Sequence, residues 1–294
     1  MKKIPSHTLL FLPLLLLLIT ANNCKRGETK QEKLLISVSL PPQQFFIQKI
    51  AGDLAEVHVL VPKGSNPEYY DPTPRDLVKL GESDAYFTIG TLPFELQWIA
   101  QLPEQVKVVN TATLLPEEYI YGHDGEAAHT HLHGDPHYWS SLAGGKAMAE
   151  AYLQELLQLL PEQEEQLRAN YTTLLALFDQ LEQMAKQNLT TEGGKQPAFI
   201  IYHPSLSLFS DEMRLRQLVI EENGLEPTPR HLLQLMEEAK QYDTRAVLIQ
   251  QEFDQKNAQN IAQELQLPIV QIQPLNPAWD EEMRHLIKAL GQKH

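Results

Sequence analysis

Cysteine is almost absent from these 294 residues: Cys24 stands alone, so no internal disulfide can form in any compartment. Positive charge is also scarce. Lys and Arg number 24 against 38 Asp and Glu, a formal net charge of −14. A nucleic-acid binder would need the opposite, a basic footprint for the phosphates. An acidic surface favours cations weakly but serves solubility as well, so charge removes one class of partner without selecting another. Beyond residue 20 no apolar run approaches the ~20 residues that span a bilayer. HExxH and GxSxG are both missing, which removes the metalloprotease helix and the serine nucleophile elbow. What is present suits a globular protein. Hydrophobic residues make up 43% and charged residues 21%, enough to bury a core, in a length that fits one large domain or two of usual size.

The N-terminus carries an address. Met1, Lys2 and Lys3 supply positive charge, Leu9 to Ile19 is nearly all apolar, and polar residues take over from Ala21. A charged start and an apolar stretch too short for an ordinary transmembrane helix read as a signal peptide over residues 1–24, hence an exported chain. Cys24 stands just beyond, as the lipid acceptor of a bacterial lipoprotein does, although Asn23 occupies a place where such signals prefer a small residue. Lipidation there would anchor the chain to a membrane through a polar tether, residues 25–33. Ordinary cleavage beside an incidental cysteine is the alternative.

The rest alternates strand and helix patterns. Leu34–Leu40, Glu56–Val61, Asp84–Gly90 and Gln105–Asn110 read as strands, separated by helical or proline-rich segments. After a polar loop, 117–136, the pattern turns helical. Pro161 and the acidic EQEE that follows mark a fresh helix start. Leu167, Tyr171, Leu174, Leu175, Phe178 and Leu181 then recur mostly at spacings of three and four. This helix, 161–192, would run for roughly 45 Å, more than a crossover inside one domain requires. Past GGKQ the strand–helix rhythm resumes with PAFIIYH, a strand near Arg216–Ile220, AVLIQ and PIVQI, and ends on a helix reaching Leu290. The expected fold is α/β: an N-terminal lobe (34–160) and a C-terminal lobe (193–294), with mostly parallel sheets, joined by the long connecting helix. Clefts between lobes and the carboxyl ends of parallel strands are favoured ligand sites.

Chemistry concentrates at a few points. The segment YGHDGEAAHTHLHGDPHYW holds His123, His129, His131, His133 and His137, five of the 11 histidines. Imidazole suits zinc, copper, nickel and iron, so the crowding reads as metal binding, against the plainer reading of a biased surface loop. His137 differs from the others, lying in DPHYW beside apolar groups at the edge of a helix. His203 closes the strand PAFIIYH, where a side chain enters a cleft or is satisfied by the local backbone. Glu68, in NPEYYDP, is by itself an ordinary loop carboxylate. Together the three come from strand ends or nearby loops in both lobes.

Several segments, in order, carry a resemblance. GSNPEYYDPTPRDL, HLHGDPHYW, the helix PEQEEQLRANYTTLLALFDQL and IIYHPSLSLF resemble the successive ligand motifs and connecting helix of the ZnuA-like zinc-binding group of ABC-transporter solute-binding proteins. The likeness covers nearly the whole mature chain. It implies a metal site in the interlobe cleft, with His137 and His203 as ligands. At the first-ligand position Glu68 stands where the family has histidine. A carboxylate still binds zinc at ~2.0–2.2 Å, but is harder and shifts preference toward manganese or iron. Members that bind those metals add a carboxylate near the chain's end, where this sequence has Gln273 in QIQPL, so the fourth ligand is expected to be water or His133. Glu252, in LIQQEFD, matches a cleft-side glutamate and is expected to orient His203 or His137, or else to serve as a helix N-terminal carboxylate. His123, His129 and His131 would sample scarce metal and pass it inward.

The resemblance further implies an exported, periplasmic or cell-surface monomer that captures a divalent metal (zinc, with manganese or iron as alternatives) and delivers it to a membrane permease. It implies small lobe movements, because one long helix resists wide hinge closure. An exported zinc metallohydrolase is the rival from another class, since three protein ligands and a water also describe catalytic zinc. No general base stands in a clear place to support it.

Overall fold

The computed structural model describes residues 33–121, 137–189, 194–222 and 224–292. The segments with Cys24, His123, His129, His131 and His133 lie outside them.

Two four-stranded parallel sheets form the frame. The first holds β1 (Leu34–Val38), β2 (Ala55–Val59), β3 (Ala85–Thr88) and β4 (Lys107–Asn110) in the order β2-β1-β3-β4. The second repeats the plan with β5 (Pro197–Ile201), β6 (Arg216–Val219), β7 (Asp243–Gln250) and β8 (Ile269–Ile272), in the order β6-β5-β7-β8. Central strands covered on both faces read as unbroken apolar runs, and every residue of β3 and β5 is buried. In both sheets the order reverses beside the first strand, which is where crevices open at the carboxyl ends.

Helices fill the connections: α1 (Pro41–Ala51), α2 (Pro74–Gly81), α3 (Pro93–Ile99) and the short α4 (Glu118–Tyr121) in the first half, then α5 (Leu142–Leu159). Prolines open α1, α2 and α3, where the missing N–H would be unpaired in any case. Thr73 caps α2, accepting from the Asp76 N–H at 3.3 Å while Asp76 accepts from the Thr73 N–H at 3.0 Å, the reciprocal capping box.

The long helix α6 (Glu164–Asn188) has 25 residues and follows a single 3₁₀ turn, Pro161–Gln163, so it is about 38 Å long. The second half adds α7 (Ser207–Met213), a seven-residue helix between β5 and β6 where the sequence pattern suggests none, then α8 (Pro229–Ala239), α9 (Lys256–Leu265) and α10 (Trp279–Gly291).

The last helix returns to the first half of the chain. Trp279 at its start is buried against Phe45 and Phe46 of α1 and Phe178 of α6, with ring centroids 5.8, 5.0 and 5.4 Å apart. A Cβ on Gly145 would lie 2.6 Å from the same indole, so α5 approaches Trp279 only because that position has no side chain. One buried apolar cluster accordingly runs from β1 and β3 through α5, α6 and α10 to Phe199, Ile201 and Leu248 of the second sheet. A smaller cluster lies on the other face of the second sheet, under α8 and α9.

Candidate metal centre

Loops from the carboxyl ends of both sheets converge on one small cleft. Glu68 rides on the loop between β2 and α2, its backbone N–H held by the Asn66 side chain at 2.9 Å. His137 opens a 3₁₀ turn, Tyr138–Ser140, and accepts from the Ser140 N–H at 2.9 Å. That turn is tied to both sheets. The Tyr138 hydroxyl donates to the Ile89 carbonyl beyond β3 (2.7 Å), and the Trp139 indole donates to the Pro274 carbonyl beyond β8 (3.1 Å). The Trp139 carbonyl in turn accepts from the Trp279 indole at 2.6 Å. His203 lies two residues past β5. Its N–H donates to the Gln250 side chain (3.2 Å), whose amide donates to Ser205 (2.9 Å), and its ring stacks on Phe253 at 4.9 Å.

Glu68, His137 and His203 are brought together. Among the described residues they form the one group of three metal-donor side chains whose donor atoms all lie within 4.8 Å of one another. His203 Nε2 is 3.3 Å from His137 Nε2 and 3.5 Å from Glu68 Oε1. Donors held ~2.05 Å from an ion at tetrahedral angles sit ~3.3–3.4 Å apart, so both spacings suit ligands that share one divalent transition-metal ion. The cavity between them is about 30 Å³, above the ~10–15 Å³ that a single water needs. Asn66, Trp139, Gln250, Phe253 and Leu275 help to wall it. Both histidines are nearly fully buried, while a quarter of the Glu68 side chain is exposed.

The carboxylate on the far side of His203 is not the one expected. Nδ1 meets Glu221 at 3.1 Å, and both side chains are 6% exposed. Glu252 lines the cavity instead. Its carboxyl is held above the usual range chiefly by burial; a hydrogen bond from its own backbone opposes this, the nearby Glu282 charge adds to it, and His203 opposes it. Gln273 is not among the residues that wall the cavity: its backbone N–H donates to Glu282 at 2.8 Å, and its buried side-chain oxygen has no hydrogen-bond partner among the described residues. Glu221 escaped the sequence because two acids, Glu221 and Glu222, follow the strand and only one faces inward. Glu222 turns instead to the Thr228 hydroxyl, at 3.0 Å.

Two parallel α/β lobes with imidazole and carboxylate donors gathered in the crevice between them describe a substrate-binding protein whose cargo is a cation. A family model described as "Zinc-uptake complex component A periplasmic" matches residues 36–292. The chain belongs to that family, among the metal-binding substrate-binding proteins of ABC transporters. These are binding components and not enzymes, which sets the metallohydrolase reading aside.

The relatives differ in the metal they are named for. The "Manganese ABC transporter substrate-binding lipoprotein PsaA" of Streptococcus pneumoniae is 24% identical over 278 residues, covering 92% of this chain and 88% of that protein. The "Zinc-binding lipoprotein AdcA" of Streptococcus pneumoniae (strain ATCC BAA-255 / R6) is 25% identical over 299 residues, covering 97% of this chain but 57% of AdcA. A crystal structure of ZnuA superimposes with a TM-score of 0.76 at 32% identity, covering 88% of this chain and 98% of that one.

Proposed function

We propose that the chain captures a divalent transition metal, zinc first among them, with Glu68, His137 and His203 as ligands, and delivers it as a monomer to the permease of an ABC transporter. The observation that carries this reading is the convergence of two imidazole nitrogens and one carboxylate oxygen at 3.3 and 3.5 Å in a cleft. Two imidazole nitrogens 3.3 Å apart favour zinc. The fourth position falls to water or to His133. Manganese or iron is the second reading, favoured by the carboxylate at Glu68 in place of an imidazole. The peptide 1–24 would direct export to the periplasm or cell surface, and lipidated Cys24 would anchor the protein there, as in the relatives named lipoproteins. No helix among the described residues is long and apolar enough to cross a membrane.

The test is metal content and competition titration on the purified protein, beside Glu68→Ala and His203→Ala. One tight zinc per chain, lost with His203→Ala and weakened with Glu68→Ala, supports the reading. A preference for manganese or iron moves the protein to the second. Absence of any tight site sinks both. Deleting residues 123–133 should slow capture from dilute zinc yet leave the tight site. If the site disappears, the loop itself supplies part of the primary ligand shell.

A further inference from the structure

Glu221 sits where a buried carboxylate is costly. Its side chain is 6% exposed, and an unpaired carboxylate in such a place costs several kcal/mol even after relaxation. Among the described residues no Lys or Arg forms an ion pair with it; its polar side-chain contact there is the His203 ring. Its backbone is fixed by continuation of the β5–β6 ladder past the strand ends. The Ile220 N–H donates to the Ile201 carbonyl at 2.9 Å and the Glu221 N–H to the Tyr202 carbonyl at 3.1 Å. The chain then closes on itself through an antiparallel bridge between Glu222 and Leu225. Side chain and ring are therefore presented to each other by neighbouring strands of one sheet.

An ionised carboxylate offers only acceptors, so opposite an ionised Glu221 the Nδ1 of His203 carries the ring's proton. In the neutral ring this leaves the lone pair on Nε2, the atom that faces His137 Nε2 and Glu68 Oε1. The opposite tautomer would set a lone pair against the carboxylate and an N–H into the cation's place. Phe253, stacked at 4.9 Å, restrains the ring plane but cannot choose between its nitrogens.

We propose that Glu221 is the positioning residue of this centre: it holds the His203 ring with Nδ1 protonated and Nε2 turned to the cation. The inference rests on the cleft being a divalent-metal site. Glu221→Gln keeps the shape and one acceptor oxygen but loses the charge; Glu221→Ala loses both. Carboxylates that orient metal-bound histidines commonly change affinity by ~10–100-fold when removed.

The experiment titrates zinc into the purified protein by competition, records the visible spectrum of the Co²⁺ form, and follows unfolding of the metal-free protein. Wild type, Glu221→Gln, Glu221→Ala, His203→Ala and the neighbouring Glu222→Gln are compared. The expected result is a loss of zinc affinity of ~10-fold for Glu221→Gln and ~100-fold for Glu221→Ala. Both should shift the Co²⁺ spectrum, and Glu222→Gln should match wild type in both readouts. A lowered unfolding midpoint with unchanged Co²⁺ spectrum and affinity would make Glu221 merely structural and overturn the proposal. If Glu221→Ala does not fold, Glu221→Gln decides, and wild-type affinity and spectrum in it overturn the proposal. Failure of the underlying reading looks different: wild type itself would then hold no tight zinc, and His203→Ala would change nothing.

Discussion

Replacing Trp279 by Phe tests how the core and the metal centre are joined. The indole is buried against three phenyl rings, and its N–H donates to the Trp139 carbonyl at 2.6 Å. Trp139 lies two residues after His137. Phe keeps an aromatic ring but removes the donor, and a buried carbonyl left unpaired costs about 1–3 kcal/mol. The smaller ring also gives up part of the apolar contact, worth about 1–2 kcal/mol more at ~0.8 kcal/mol per buried CH₂. The expected loss is therefore about 2–5 kcal/mol, a substantial share of a stability of about 5–15 kcal/mol. Ala would cost more and endanger folding.

Urea unfolding of the metal-free protein reads the effect as a lowered midpoint at unchanged slope. Trp98→Phe is the control, because the Trp98 indole nitrogen is buried without a hydrogen-bond partner among the described residues. Zinc affinity should fall in Trp279→Phe and hold in Trp98→Phe, since only the first loosens the turn that carries His137. Equal midpoints for the two variants would refute the reasoning and show that the indole does not sustain the Trp139 carbonyl.

Glu68→His should raise the preference for zinc over manganese, because imidazole is the softer donor; competition titration of both metals measures the ratio. Gly144→Ala should destabilise by about 1–3 kcal/mol and weaken zinc binding, because the new Cβ would lie 2.0 Å from the Tyr138 carbonyl, beside His137; urea unfolding and the zinc titration check both effects. Glu95 supplies a pH test. It is buried and accepts from the Ile89 and Gly90 N–H groups at 2.7 Å each, yet burial outweighs these bonds and raises its pKa. A carboxyl raised in the folded state binds its proton more readily there than in the unfolded chain, so its share of stability falls as pH climbs from ~4.5 through the raised value. The advantage of wild type over Glu95→Gln in urea midpoint should thus narrow across that window, and a gap that widens would contradict it.

Much of the frame was legible because short apolar runs such as AYFT and PAFII, set between turn and helix signals, read as strands covered on both faces, and because proline-led helices announce their starts. Strand order was not, since pairing β1 between β2 and β3 depends on contacts far apart in sequence. Helix α7 was hidden by its length: seven residues leave too few turns for a periodic signal, and its buried Leu208 and Phe209 are adjacent. The destination of Trp279 was hidden as well, because amphipathicity tells that a helix covers something and not what it covers. Glu68, His137 and His203 were legible through their motifs and their places at strand ends. Glu221 was not, because two neighbouring glutamates differ only in which side of an extended chain they face.

The donors of the cleft are unequally sheltered, with a quarter of the Glu68 side chain in solvent against 6% of His203. Ligand exchange in such a shell has a direction. With Glu68, His137 and His203 as ligands, water would reach the carboxylate first and could replace it while both imidazoles still held, so an ion would leave in stages. A recipient that tugs on the β2–α2 loop alone could collect the cargo without disturbing the core beneath it.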